Sequence, residues 1–221
     1  MCRIIAVVAV MVALLVETVT AQASLIDTRD GQMYKTVKIG NQVWMAQNLN
    51  YKTSDGSMCY NDSASYCKKY GRLYNWYTAK SVCPAGWRLP DSADWDILAA
   101  TVGGVLEPSS GGGFSWSGAG KKLKSKSGWN DYEGKSGNGT DNYGFSALPG
   151  SYHTYHAPCD NCWYTRDAYV GEAGSWWTAS IRVYPSGVRE PYTRHMHCAH
   201  DKVNRSTNVE RSVESVRCIK E

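Results

Sequence analysis

The stretch Cys83-Pro84-Ala85-Gly86-Trp87-Arg88-Leu89-Pro90, with Asp94-Trp95 close behind it, decides how this chain is read. Pro90 closes the preceding segment, and Asp91 is a good N-cap, a side chain that accepts from the free N–H groups of a first helical turn. Asp94 stands three residues on, a capping box with Asp in the place of Glu. Trp95, Leu98, Ala99 and Val102 then share one helical face, and Gly103-Gly104 ends the helix. A helix with one apolar face needs a cover, and the flanking segments read largely as strands.

On the N-terminal side, residues 71–82 predict a second helix, with Leu73, Trp76, Tyr77 and Lys80 at i, i+3, i+4 and i+7. Residues 34–39 and 43–45 are rich in strand formers and flank Gly40-Asn41, so they predict a hairpin. Asp55-Gly56 marks a turn, and Cys59 and Cys67 after it predict a local disulfide. On the other side, residues 107–142 are rich in Gly and Ser around isolated Phe114, Trp116 and Trp129, which predicts a long loop. Strands are expected over 143–148, 163–170, 176–184 and 215–219. No repeat or linker divides the chain, so the expectation is a single α+β domain.

Composition narrows the class. The 221 residues hold Tyr 15 and Trp 9 against Phe 2, so nearly every ring carries a polar tip that needs a partner when buried. With Gly 21 and a mean hydropathy of −0.44, this excludes a membrane-embedded protein and argues against a helical bundle. The formal charge of +4 is mild and has one basic cluster, Lys121, Lys122, Lys124 and Lys126, without a nucleic-acid-binding framework around it. Arg3 and the apolar run 4–16 read as an export signal over residues 1–21, cleaved after Ala21 or Ala23. The protein is therefore expected to be secreted or at the cell surface, where disulfides form. Of eight cysteines Cys2 leaves with the signal, and the remaining seven make an odd count.

The opening block, with Gly71-Arg72-Leu73-Tyr74 before it, resembles the Fibrobacter succinogenes major paralogous domain. Further matches are residues 39–49, 121–125, 143–150, 176–180 and 215–220, in order along nearly all of the mature chain, so the domain is expected over 33–221. The resemblance implies a secreted or surface-exposed bacterial domain without established catalytic residues. The Arg88-Leu89-Pro90…Trp95 block is also similar to one in C-type-lectin-like folds, including the sulfatase-modifying family. That implies a C-type-lectin-like domain, two helices beside small twisted antiparallel sheets with long loops, stabilised by a disulfide from Cys83 to Cys218.

Residues around Cys159, Cys162 and Cys198 depart from the family pattern and hold all five histidines. His153, His156, Cys159 and Cys162 recur every three residues; His195, His197, Cys198 and His200 form a second group. Imidazole and thiolate are zinc ligands, and a Cys-x-x-Cys pair fits one tetrahedral face. In an exported chain oxidation competes for the same thiols, so a disulfide from Cys198 to Cys159 or Cys162 is the preferred reading. Cys159 or Cys198 beside a histidine also suits a nucleophile, but no catalytic signature accompanies either. Loop carboxylates Asp131, Glu133, Asp141, Asp167 and Glu172 are donors for glycoside hydrolysis, and residues 138–142 for calcium; neither carries a signature. No zinc or calcium cofactor is predicted.

A set of aromatics in the same region is the strongest candidate for binding. Trp163, Tyr164, Tyr169, Trp176, Tyr184 and Tyr192 crowd together, and on a strand Trp176 and its neighbour Trp177 point to opposite faces. Exposed, such rings stack on sugars or peptide side chains. The expected function is a secreted, non-catalytic recognition or adhesion module that binds glycan or a cell-surface protein. An extracellular structural subunit, self-assembling through the odd cysteine or metal-linked loops, is the alternative, and a polysaccharide-active enzyme ranks third.

Overall fold

The computed structural model describes residues 23–109, 113–159, 162–168 and 170–221, with backbone alone over 153–159 and 162–168. The expected export signal lies outside the described residues. The strands are β1 (Ser24–Ile26), β2 (Met33–Ile39), β3 (Gln42–Met45), β4 (Ser57–Met58), β5 (Leu73–Asn75), β6 (Trp87–Arg88), β7 (Val105–Ser109), β8 (Gly113–Ser117), β9 (Tyr152–Cys159), β10 (Cys162–Ala168), β11 (Ala173–Val183), β12 (Arg189–His197), β13 (Val203–Thr207), β14 (Val213–Ser215) and β15 (Ile219–Lys220). Four short helices join them: α1 (Ala64–Tyr70), α2 (Trp76–Ala79), α3 (Ser92–Thr101) and α4 (Ala119–Leu123). The domain is α+β, as expected, but mostly strand.

Two sheets carry it. A five-stranded sheet has the order β1-β2-β3-β15-β6. A ten-stranded sheet runs β10-β9-β14-β11-β12-β13-β8-β7, with β5 also paired to β14 and β4 to β5. Small sheets were expected; the second is large because β11 and β12 are long and gather neighbours on both sides.

The capping box forms as read. Asp94 N donates to Asp91 Oδ1 at 2.8 Å, and Asp91 N donates to Asp94 Oδ2 at 2.8 Å. Asp94 also receives both terminal nitrogens of Arg88, at 2.6 and 2.9 Å, which explains why Arg88 and Asp94 stand six residues apart. The hairpin also stands, as β2 and β3 in register Thr36↔Met45 to Ile39↔Gln42. Both the Cys59–Cys67 and the Cys83–Cys218 disulfides are present.

The strand expected over 215–219 is broken, with 216–218 outside any strand between β14 and β15, and three further expectations fail, each for a local reason. The helix over 71–82 gives way to β5 and the single turn α2, because Leu73, Tyr74 and Asn75 pair with Ser215, Glu214 and Val213. The strand over 143–148 shrinks to one bridge, Lys124↔Ala147. There Asp141 accepts from both the N–H and the hydroxyl of Ser146 and holds that residue at φ 52°. The loop over 107–142 contains the end of β7, all of β8 and α4.

The core lies on both sides of β11. Trp176 packs with Trp44, Trp95, Leu98, Phe145 and Met196; Trp177 packs with Tyr34, Met45, Tyr74 and Val216. Covering both faces of the sheet is what lets two adjacent tryptophans be buried at once. The sheet and α3 are further joined by Arg194, whose Nη2 donates to Ser92 O and Asp96 Oδ1, each at 2.9 Å. Among the described residues no helix is long and apolar enough to cross a membrane. Two disulfides mark a protein folded in an oxidising, extracytoplasmic compartment.

Candidate functional site

Strand β11 outruns the core. It is buried from Ala173 to Thr178 and turns to solvent from Ala179 onward, with a register shift against β12 between Trp177 and Ile181. The overhang closes at Tyr184, whose N–H donates to Val188 O at 2.8 Å, over a turn in which Gly187 takes φ +84°. Arg182 pairs with Glu190, and Tyr192 pairs with Thr207 of β13. Paired residues share a sheet face, so these side chains meet.

The contacts are polar and aromatic together. Glu190 Oε2 accepts from Tyr184 Oη at 2.8 Å and from Thr207 Oγ1 at 2.6 Å. The Arg182 guanidinium lies 4.4 Å from the centre of the Tyr184 ring, and that of Arg205 lies 4.7 Å from the Tyr192 ring. Both tyrosines are half-buried. The face thus presents two arginine-backed rings around one carboxylate, able to stack on a sugar and to hydrogen-bond its hydroxyls or acidic groups.

Beside the turn end of this hairpin is a concavity of about 420 Å³, lined by Tyr77, Arg189, Val209, Glu210 and Arg211. Tyr77 is 54 % exposed, and its hydroxyl is bonded to Glu210. None of Tyr77, Arg182, Arg189, Glu190 or Arg205 was singled out as a site residue from the sequence. Only the cross-strand register shows that Arg182, Glu190 and Arg205 flank the tyrosines that were.

Of the six aromatics expected to form the face, Tyr184 and Tyr192 are brought together there. Trp176 is not on it: the side chain is fully buried, and its Nε1 donates to Asn48 Oδ1 at 2.8 Å. Trp163 and Tyr164 lie in β10 with side chains outside the described residues, and Tyr169 itself is outside the described residues.

The histidine windows are resolved in part. Side chains of His153, His156, Cys159 and Cys162 lie outside the described residues; the backbone pairs Cys162 with Cys159 and Tyr164 with His156 across β9 and β10. In the second window His195, His197 and His200 form a row, with ring centres 6.0 and 5.8 Å apart. Two of the rings accept from the backbone: His197 Nδ1 from Ala199 N at 3.0 Å, and His200 Nδ1 from Lys202 N at 3.4 Å. Buried Lys124 reaches His197 O and His200 O at 3.3 and 3.1 Å, placing a positive charge beside the row. Burial holds all three imidazoles below their ordinary range, His195 down to about 4. Among the described residues no group of three or more His, Cys, Asp or Glu side chains is placed to hold a metal ion.

Cys198 carries a free thiol rather than the expected bridge to Cys159 or Cys162. It is 7 % exposed, 3.7 Å from His197 Nδ1, and burial pushes the thiol up, the opposite of activation for nucleophilic attack. Two of the candidate calcium donors already accept hydrogen bonds: Asn138 Oδ1 from Trp129 N at 3.0 Å, and Asp141 from Ser146.

With this geometry in place, comparison with known families is decisive at one level. The pattern of the Fibrobacter succinogenes major domain matches residues 37–220, from inside β2 to β15. The chain belongs to that family. No curated protein and no solved structure matches it. Within this Fibrobacter succinogenes major domain, the sequence blocks now have structural reasons. Asn48, from the block at 39–49, accepts from Trp176 and Arg217 and donates to Tyr70 O and Ser215 Oγ. Cys83 and Cys218 join the block around Trp87 to the segment that contributes β15.

Proposed function

We propose that this domain is a secreted, non-catalytic recognition module that binds glycan through the overhanging β11–β12–β13 face, on a C-type-lectin-like scaffold. The observation that carries the reading is the pair of half-buried tyrosines, each with a guanidinium against its ring, Tyr184 bonded to Glu190 and Tyr192 paired with Thr207, which bonds the same carboxylate. Rings held this way lose little freedom on binding, and arginines beside them favour sugars that bear acidic groups. The tie between Cys83 and Cys218, and α3 packed beside the sheet, support the lectin-like reading. Assembly through the odd cysteine has less support, because Cys198 is buried.

Retention on cellulose, chitin, peptidoglycan and an acidic polysaccharide tests the proposal. The wild-type protein is expected to be retained on at least one, and Tyr184→Ala with Tyr192→Ala to lose that retention while melting normally. Retention unchanged in the double variant, or absent from every matrix, overturns it.

A further inference from the structure

Several arginines among the described residues are well supplied with acceptors. Arg29 bonds Asp27, Arg88 bonds Asp94, Arg194 bonds Ser92 O and Asp96, and Arg217 bonds Asn48 with two backbone carbonyls. Arg72 is half-buried, its Nε is shielded from solvent, and among the described residues that atom has no hydrogen-bond partner. A guanidinium partly withdrawn from water and left without an acceptor is costly unless something else supplies one.

Its setting is a concavity of about 390 Å³ lined by Gln32, Asn50, Cys59, Ala64, Cys67, Lys68 and Arg72. The chain is fixed there. Asn48 Nδ2 donates to Tyr70 O at 2.8 Å, and Arg72 N donates to Leu49 O at 3.0 Å, which sets Arg72 beside Asn50. Gly71 between them takes φ +82°, and a Cβ there would meet Asn48 Cβ at 2.7 Å and Leu49 O at 2.8 Å. The Cys59–Cys67 disulfide binds the opposite wall to α1, so that Lys68 follows directly on that wall. The lining holds two cations, two amides and no carboxylate. Asn50 Oδ1 is a second buried polar atom without a partner.

We propose that this concavity binds an oxyanion group, carboxylate or sulfate, on a ligand of about monosaccharide size. Arg72 is the fork that receives the anion, Lys68 adds a point charge, and the amides of Gln32 and Asn50 meet neighbouring hydroxyls. The site shares no residue with the tyrosine face and stands or falls apart from it.

Titration calorimetry of the oxidised protein with galacturonate, glucose and sodium sulfate tests the site. Saturable galacturonate binding is expected, suppressed by salt, with glucose at least tenfold weaker. Arg72→Gln is expected to weaken it tenfold or more, and Lys68→Gln by a smaller factor, with melting temperatures unchanged. Arg72→Lys, which keeps the charge and loses the fork, is expected to fall between. Competition by sulfate assigns the site to oxyanions in general, and its failure assigns the carboxylate. Equal binding of glucose and galacturonate, equal binding by wild type and Arg72→Gln, or no saturable binding of either anion overturns the proposal.

Discussion

Arg217 and Asn48 stand 169 positions apart, and Arg217 donates through Nε and Nη2 to Asn48 Oδ1 at 3.1 and 2.8 Å. The guanidinium is fully buried between Phe145 and Trp176, and burial depresses its pKa to about 9. The same Oδ1 also receives Trp176 Nε1. One amide oxygen thus anchors a buried cation and a buried indole. Asn48→Ala leaves the indole N–H and Arg217 Nε without an acceptor, while Arg217 keeps Phe145 O and Ser146 O, so it is expected to cost about 2–4 kcal/mol in urea unfolding. A loss below about 1 kcal/mol would show that the hub is dispensable.

Trp176 and Tyr192 should separate by the same measurement. Trp176→Ala opens a cavity in the core and is expected to cost about 3–5 kcal/mol. Tyr192→Ala, on the overhang, is expected to cost less than about 1 kcal/mol and to act on glycan retention instead. Similar destabilisation by both would place Tyr192 in the core rather than on a binding face.

Glu214 makes stability depend on pH. Burial raises its carboxyl from 4.5 to about 7, against the pull of hydrogen bonds from Ser175 and Asn208. The folded protein keeps this proton where the unfolded chain releases it, so the contribution of Glu214 is complete below 4.5 and is lost as pH rises towards 7. The loss is on the order of 3 kcal/mol, and Glu214→Gln should remove it. His195, held down at about 4 chiefly by burial, acts the other way: its contribution is complete above 6.5 and is lost as pH falls towards 4. Urea unfolding between pH 4 and 8 checks both, and an unchanged pH profile in Glu214→Gln would refute the first.

The two disulfides should differ in weight. Cys83–Cys218 spans 135 positions and Cys59–Cys67 spans 8. On the chain-entropy argument their removal costs about 5 and about 2.5 kcal/mol. Paired Cys→Ala variants, compared by denaturant unfolding, are expected to keep that order; a reversed order would defeat the argument.

What was legible in the sequence was local. The capping box of α3 and the β2–β3 hairpin rest on residues within a dozen positions of one another, where spacing and turn chemistry decide. Leu73-Tyr74-Asn75 was read as helix because its pairing partner, Val213–Ser215, lies far along the chain. Trp176 was expected to be exposed because alternation assumes one open face, whereas β11 is covered on both. The two tyrosines of the candidate site were found from composition. Their arginines were not, since only the register across β11, β12 and β13 sets Arg182 opposite Glu190 and Arg205 on the strand beside Tyr192. The concavity at Arg72 left no trace in any spacing.

The position of β15 has a consequence for how the chain matures. It lies between β3 and β6, and Ile219 pairs with both Trp44 and Arg88. Until residue 219 is available, Met45 and Trp87 have no strand to bridge them, however early they are made. A chain delivered through a narrow pore from its N-terminus therefore cannot lock this sheet prematurely behind or within the pore. Insertion of β15 acts as a keystone, and the Cys83–Cys218 bond next to it then bolts the arch.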